Sequence, residues 1–192
     1  AIFPTAVSAA YTYTTRYVTR DTLENGVGYW LKFAGNQSVS ISGDSLTALT
    51  IPVQHRWNMI GSIGVPIDVQ STTEIPLDIV RSLYYGFDSG SYHAVDSILP
   101  GKAYWVMTSG GGSLVLDAQN AGVVARTTPR ETDEQIAGDL NTLVLEPVTS
   151  GSSDAGRWTP TLYFGAGQAA ERSLDRYELP PVPPGGSFDA RF

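Results

Sequence analysis

Short apolar runs rich in aromatic and β-branched residues, separated by polar turn residues, recur along this chain as expected of strands. Residues 10–18 are rich in aromatic and β-branched side chains and read as one strand, followed by 29–33, 38–41, 49–53 and 57–63. Further strands are expected at 83–87, 91–95, 103–108, 113–116, 142–145 and 161–164. Gly, Asn, Asp and Pro fill nearly every gap, as in Glu24-Asn25-Gly26, Asp88-Ser89-Gly90 and Pro100-Gly101-Lys102. Helical spacing shows in one place only: Ile79, Val80 and Leu83 predict a short helical turn near 76–83. Short strands at this density predict an all-β protein, an antiparallel β-sandwich or barrel-like assembly.

The pattern is also written twice. Tyr29-Trp30-Leu31-Lys32-Phe33 aligns without a gap on Tyr104-Trp105-Val106-Met107-Thr108, 75 residues later, and the match runs on through Ile41 and Leu116. Upstream, Tyr17 falls on Tyr92, Asp21 on Asp96, Leu23 on Ile98 and Gly26 on Gly101. A period of this kind sets architecture before it says anything about chemistry. A residue present in both copies is better explained by the fold than by a site. The second copy carries Trp57-Asn58-Met59-Ile60-Gly61 ahead of its Tyr-Trp strand, whereas a first-copy counterpart would fall before residue 1. Residues 2–8 are expected to match 74–80 with a small deletion. The chain thus reads as about one and a half copies of a ~75-residue repeat. Residues 1–48 form a truncated first copy and 49–122 a complete second. Residues 123–176 make a connector with a β-hairpin, and 177–192 a Pro-rich spacer with the start of a following segment. The stretch Leu179-Pro180-Pro181-Val182-Pro183-Pro184 should run as polyproline II.

Composition narrows the function classes. The 192 residues are enough for a substantial core, and 42% of them are apolar. A net charge of −7 with no basic stripe argues against a nucleic-acid partner. There is no cysteine for disulfides, thiolate metal sites or thiol nucleophiles. No apolar run reaches the ~18 residues of a membrane-spanning helix, and no membrane span is expected.

The block Trp57-Asn58-Met59-Ile60-Gly61, with Tyr92, Asp96, Ile98 and Leu99-Pro100-Gly101-Lys102-Ala103-Tyr104-Trp105-Val106, resembles a W-N-x-I-G … P-G-K-x-Y-W-V pattern. That pattern recurs in large secreted and cell-surface proteins exported by the type IX secretion system, ahead of a C-terminal sorting domain. Thr161-Leu162-Tyr163-Phe164-Gly165 and the Pro-rich stretch with Phe188-Asp189-Ala190-Arg191-Phe192 are similar to the region leading to that domain. The resemblance covers most of the chain. It implies a non-catalytic structural or adhesion-type module at the cell surface or outside it. The first copy departs from the pattern at Gly26-Val27-Gly28, which lacks the Pro and Lys of the second, so Lys102 carries no role.

Candidate chemistry is sparse. His55 and His93 have no partner at metal or triad spacing and read as surface or edge residues. Glu131, Asp133 and Glu134 lie in a polar connector rather than across a cleft, and Asp88-Ser89-Gly90 offers calcium one carboxylate. No catalytic residue, metal site or cofactor is assigned. Aromatic side chains are the best ligand candidates: Trp158, in a polar loop outside the repeat, and the Tyr84-Tyr85 pair could stack on sugar rings. Trp105 repeats Trp30, which favours packing for both. Asp21-Thr22-Leu23, Asp44-Ser45-Leu46 and Asp96-Ser97-Ile98 fit the D-[S/T]-[apolar] pattern that some bacteria exporting type IX cargo use for O-glycosylation, at Thr22, Ser45 and Ser97.

The function expected is a non-catalytic extracellular structural or adhesion-type β module, or a subunit of a cell-surface or fibrous assembly. A carbohydrate-binding module is the alternative, and a glycoside hydrolase fragment a remote one. Partners expected are other copies of the chain or the rest of a longer parent chain, met through exposed strand edges, and glycans.

Overall fold

The computed structural model describes residues 3–40, 42–88, 90–120, 141–144, 161–164 and 178–185. Among the described residues thirteen strands carry the fold: β1 Ala10–Tyr13, β2 Tyr17–Arg20, β3 Ala48–Val53, β4 Arg56–Ile60, β5 Ile67–Asp68, β6 Thr73–Ile75, β7 Tyr84–Asp88, β8 Ser91–Val95, β9 Ser97–Ile98, β10 Tyr104–Thr108, β11 Gly112–Asp117, β12 Asn141–Val144 and β13 Thr161–Phe164. The only helical elements among the described residues are 3-10 turns at Val69–Ser71 and Ala118–Asn120. The fold is all-β and sandwich-like, in several antiparallel sheets, with no closed barrel among the described residues. Two compact units divide the chain: Ala1–Thr127 with Leu179–Phe192, and Thr128–Glu178. In the second unit, β12 and β13 form a hairpin pairing Asn141 with Phe164 and Val144 with Thr161.

In the first unit a four-stranded sheet in the order β4-β10-β7-β8 and a three-stranded sheet β3-β11-β6 share an apolar interior. Alternation along each strand decides which residues enter it. Ile51 and Val53 come from β3, Leu114 and Leu116 from β11, Ile60 from β4, Tyr84 from β7, and Tyr104 and Val106 from β10. Ile67 and Ile98, from the short β5–β9 pair, are wholly buried beside them. Each such side chain contributes about 1.5–3 kcal/mol of burial.

All five residues of β10 are buried. An antiparallel strand usually leaves one face wet; here Trp105 and Met107, on the face opposite Tyr104 and Val106, meet a second cluster with Trp57, Met59 and Tyr85. The β1–β2 hairpin supplies Tyr13 and Tyr17 to that cluster, and Trp30, Tyr92 and Leu179 pack against it.

Asn58 holds the corner where the chain passes from β3 to β4. Its amide oxygen accepts from the Gln54 N–H at 2.8 Å. Its Nδ2 donates to the Gln54 and Arg56 carbonyls, both at 2.8 Å, and to Thr108 Oγ1 at 3.2 Å. Arg56 is held there at φ 76°. This is the physical content of the Trp-Asn dipeptide.

Several expectations are corrected. Residues 10–18 are not one strand but most of the β1–β2 hairpin, pairing Ala10 with Arg20 and Tyr13 with Tyr17. Residues 29–33 make only isolated bridges, Tyr11 to Trp30 and Ala6 to Phe33. Residues 38–40 form no ladder and are exposed. Their second-copy equivalent, β11, is held between β3 and β6, and the described residues contain no first-copy counterpart of either. A strand without a neighbour leaves its amides to water. Residues 76–83 form no helix: a turn at Leu77 and Asp78 leads into a bridge between Val80 and Thr108. Pairing with β10 wins there, because Arg81 donates to the Met107 carbonyl and Ser109 to the Ile79 carbonyl, each at 2.8 Å.

Candidate functional site

The repeat proves to be a repeat of hydrogen bonds. In the first copy the Glu24 N–H donates to the Tyr29 hydroxyl at 3.0 Å, and in the second the Leu99 N–H donates to Tyr104 at 2.8 Å. Between them lies the same turn: Val27 donates to the Glu24 carbonyl and Lys102 to the Leu99 carbonyl, both at 3.4 Å. Gly26 and Gly101 sit at φ 79° and 75°. Glycine at the third position with positive φ is the requirement of a type II turn. The departure at Gly28, where the second copy has Ala103, also has a cause. A Cβ on Gly28 would lie 2.6 Å from Met59 Cγ and 3.0 Å from the Ile60 carbonyl oxygen. Here the first copy is stitched to β4, by Gly28 to the Met59 carbonyl at 3.0 Å and Gly61 to the Gly26 carbonyl at 2.9 Å.

Upstream the correspondence shifts by one residue. The Ser8 hydroxyl accepts from the Lys32 N–H at 2.9 Å, and the Ser82 hydroxyl accepts from the Met107 N–H at 2.8 Å. Tyr11 stands opposite Trp30 as Tyr85 stands opposite Trp105. Ala6–Ser8 therefore corresponds to Val80–Ser82, not to residues near 78–80 as the sequence match implied. The extra residue lies in the hairpin turn, since Tyr13 pairs with Tyr17 where Phe87 pairs with Tyr92.

These hairpins cross over to each other's tryptophan. Tyr13, of the first copy, meets Trp105 of the second with ring centroids 5.0 Å apart. Phe87, of the second, meets Trp30 of the first at 4.8 Å. Within each hairpin the geometry repeats as well: Tyr13 to Tyr17 at 5.3 Å and 70°, Phe87 to Tyr92 at 5.1 Å and 69°. This is the reciprocal contact pattern of an isologous dimer, folded into one chain. Both indole N–H groups, of Trp30 and Trp105, are buried without a hydrogen-bond partner. Each ring packs edge-to-face on aromatic neighbours, whose π faces are weak acceptors.

The two halves meet at one carbonyl. The Tyr92 hydroxyl donates to the Pro181 carbonyl at 2.8 Å, and its repeat equivalent Tyr17 approaches the same oxygen at 3.4 Å. A carbonyl oxygen has two lone pairs and can take both. The 179–185 segment thus belongs to the first unit and lies on its hairpins as a strap. Pro180 and Pro183 are buried while Val182 is 41% exposed.

The other sequence candidates are scattered. Tyr84 lies in the sandwich interior at 3% exposure and Tyr85 in the aromatic cluster at 7%, so neither ring presents a face to solvent. Trp158 lies outside the described residues, as do Glu131, Asp133, Glu134 and Ser89. Thr22, Ser45 and Ser97 are all exposed, each followed by a partly or fully buried apolar residue, Leu23, Leu46 or Ile98. His55 and His93 are exposed; His55 Nδ1 lies 2.8 Å from the Ser109 carbonyl oxygen. No group of three or more metal-ligating side chains occurs among the described residues, and no helix among them is long and apolar enough to cross a membrane. Sequence reasoning missed the strap contact. Its signals were present, two aligned tyrosines and a proline run, but nothing in the sequence joined them. Comparisons with protein-family models, with curated proteins and with solved structures find no match to this chain.

Proposed function

We propose that this chain is a non-catalytic extracellular structural or adhesion-type module whose two repeat copies brace each other. The observation that carries this reading is the use made of the aromatic side chains. Tyr13 packs on Trp105 and Phe87 on Trp30 across the join between the copies, and Trp57 packs on Trp105 within the second. Rings committed to mutual packing resist shear but offer no open platform to a sugar. Surface placement comes from the resemblance to type IX cargo, and so does O-glycosylation at Thr22, Ser45 and Ser97, whose exposure suits it. The unpaired segment at 38–40 is the place where another copy, or more of a parent chain, would add a strand and extend an assembly.

The deciding experiment is titration of the intact chain with soluble polysaccharides, following tryptophan fluorescence, beside size-exclusion chromatography over a range of concentrations. Silence toward glycans supports the structural reading, whereas a saturable shift transfers the protein to the carbohydrate-binding class. A monomer at every concentration removes the fibre-forming version. An intact mass from the native source equal to the bare polypeptide removes the glycoprotein version.

A further inference from the structure

We infer that the aromatic saddle between the two hairpins is a binding site for polyproline II peptides. Its occupant here is the chain's own Leu179–Pro184 strap, and the proline-rich segment of a second copy can take the same seat. The spacing of the buried residues is the first reason. Pro180 is under 2% exposed and Pro183 is buried, while Val182 between them faces solvent at 41%. One contact every third residue is the period of a polyproline II helix, which has three residues per turn. The second reason is the hydrogen bonding. A polyproline II segment makes no internal hydrogen bonds, so a carbonyl in it that is partly shielded from water needs a donor elsewhere. Pro181 finds the Tyr92 hydroxyl at 2.8 Å and the Tyr17 hydroxyl at 3.4 Å. The third is the floor of the seat. Leu179 packs on the cluster that contains Trp57, Tyr85 and Trp105. An apolar aromatic groove whose hydroxyls meet a proline carbonyl is the chemistry by which preformed proline-rich helices are recognised. Proline binds there with little entropy loss, because its φ is fixed before docking.

The pair of tyrosines is also repeat-related, so the site exists only where the two copies meet. It is formed by the join and closed by the strap. More than fifty residues separate β11 from the strap, and closing a loop of that length favours the tethered occupant only through its effective concentration. A second copy offers the same sequence without the tether, so its strap competes as concentration rises.

The test uses the full chain with Pro180→Ser and Pro183→Ser, which empties the seat and leaves the tyrosines in place. The probe is a fluorescein-labelled peptide spanning residues 178–185, followed by anisotropy. Saturable binding is expected, weakened about fivefold by adding Tyr92→Phe, the worth of one neutral hydrogen bond. The longer Tyr17 contact predicts a smaller loss for Tyr17→Phe. A folded strap variant, judged by near-UV circular dichroism, that ignores the peptide overturns the inference, as does binding indifferent to Tyr92→Phe. Should the strap variant fail to fold, a second form keeps the native strap and carries a protease site in place of residues 172–177. After cleavage the C-terminal fragment should co-elute with the body and be displaced by excess peptide. A fragment that separates at once, or that no excess of peptide displaces, contradicts a binding site.

Discussion

The first and second copies share a type II turn, a tyrosine that receives the backbone N–H five residues upstream, a serine that receives the strand opposite it, and an aromatic hairpin. Only the second builds a sandwich. Its β10 has β4 on one side and β7 on the other, and its β11 lies between β3 and β6. In the first copy, residues 29–33 make two bridges and residues 38–40 none. The difference teaches that near-identical local signals give local structure twice but a ladder only where partners exist. Turns and tyrosine latches close within six residues. A strand is a property of its neighbours.

The sharpest way to break this comparison is through its two tryptophans. Trp105 is 2% exposed, whereas Trp30 is only partly buried. Trp105→Ala is expected to cost about 3–5 kcal/mol, as for other large aromatic deletions in a core. Trp30→Ala should cost about 1.5–3 kcal/mol, nearer the burial contribution alone. Urea denaturation midpoints would rank them, and a reversed order would mean that the first copy is the better packed.

A smaller effect isolates what the second copy has and the first lacks. Asn58 makes hydrogen bonds to Gln54, Arg56 and Thr108 at the β3–β4 corner. Asn58→Ala removes all of these bonds at once, takes one partner from the buried Thr108 and leaves Arg56 at positive φ without its anchor, and should cost about 2–3 kcal/mol. In a unit of this size the thermal midpoint should fall about 5–10 °C. A change within error would move the anchoring of that corner elsewhere.

The smallest predicted differences come from equivalent glycines. Gly101→Ala forces positive φ on an L-residue and should cost about 1–2 kcal/mol, because a Cβ there meets nothing within 4 Å. Gly26→Ala carries the same strain, and its Cβ would also lie 3.0 Å from Leu49 Cδ2 and 3.1 Å from Ile51 Cγ1. About 1 kcal/mol more is expected from that crowding. Thermal unfolding of the two single variants measures the difference, and equal losses would show that the first-copy turn is less tightly seated on β3 than its distances indicate.

Much of this was legible from residue types. A strand at 103–108 puts Tyr104 and Val106 on one face and Trp105 and Met107 on the other by its period of two, and the two clusters divide them that way. The Pro100-Gly101 pair named its own turn. What could not be read was long-range. Tyr84 and Tyr85 look like a stacking pair from residue type alone, but adjacent strand residues face opposite ways, and an aromatic on each face is compatible with exposure or burial. Only the arrival of two sheets and a hairpin buries both. The 10–18 run hid a hairpin because Thr14-Thr15-Arg16 carries none of the usual turn residues. The strap was hidden for a plainer reason: proline-rich segments read as spacers unless something receives their carbonyls.

The central claim is that the copies brace each other through two equivalent crossed contacts, Tyr13 with Trp105 and Phe87 with Trp30. Double-mutant cycles on both pairs, read by urea denaturation of the intact chain, test it most directly. Coupling of about 0.5–1.5 kcal/mol in each pair is predicted, within a single unfolding transition for the repeat unit. Coupling near zero in either pair, or separate transitions for the two copies, would contradict it.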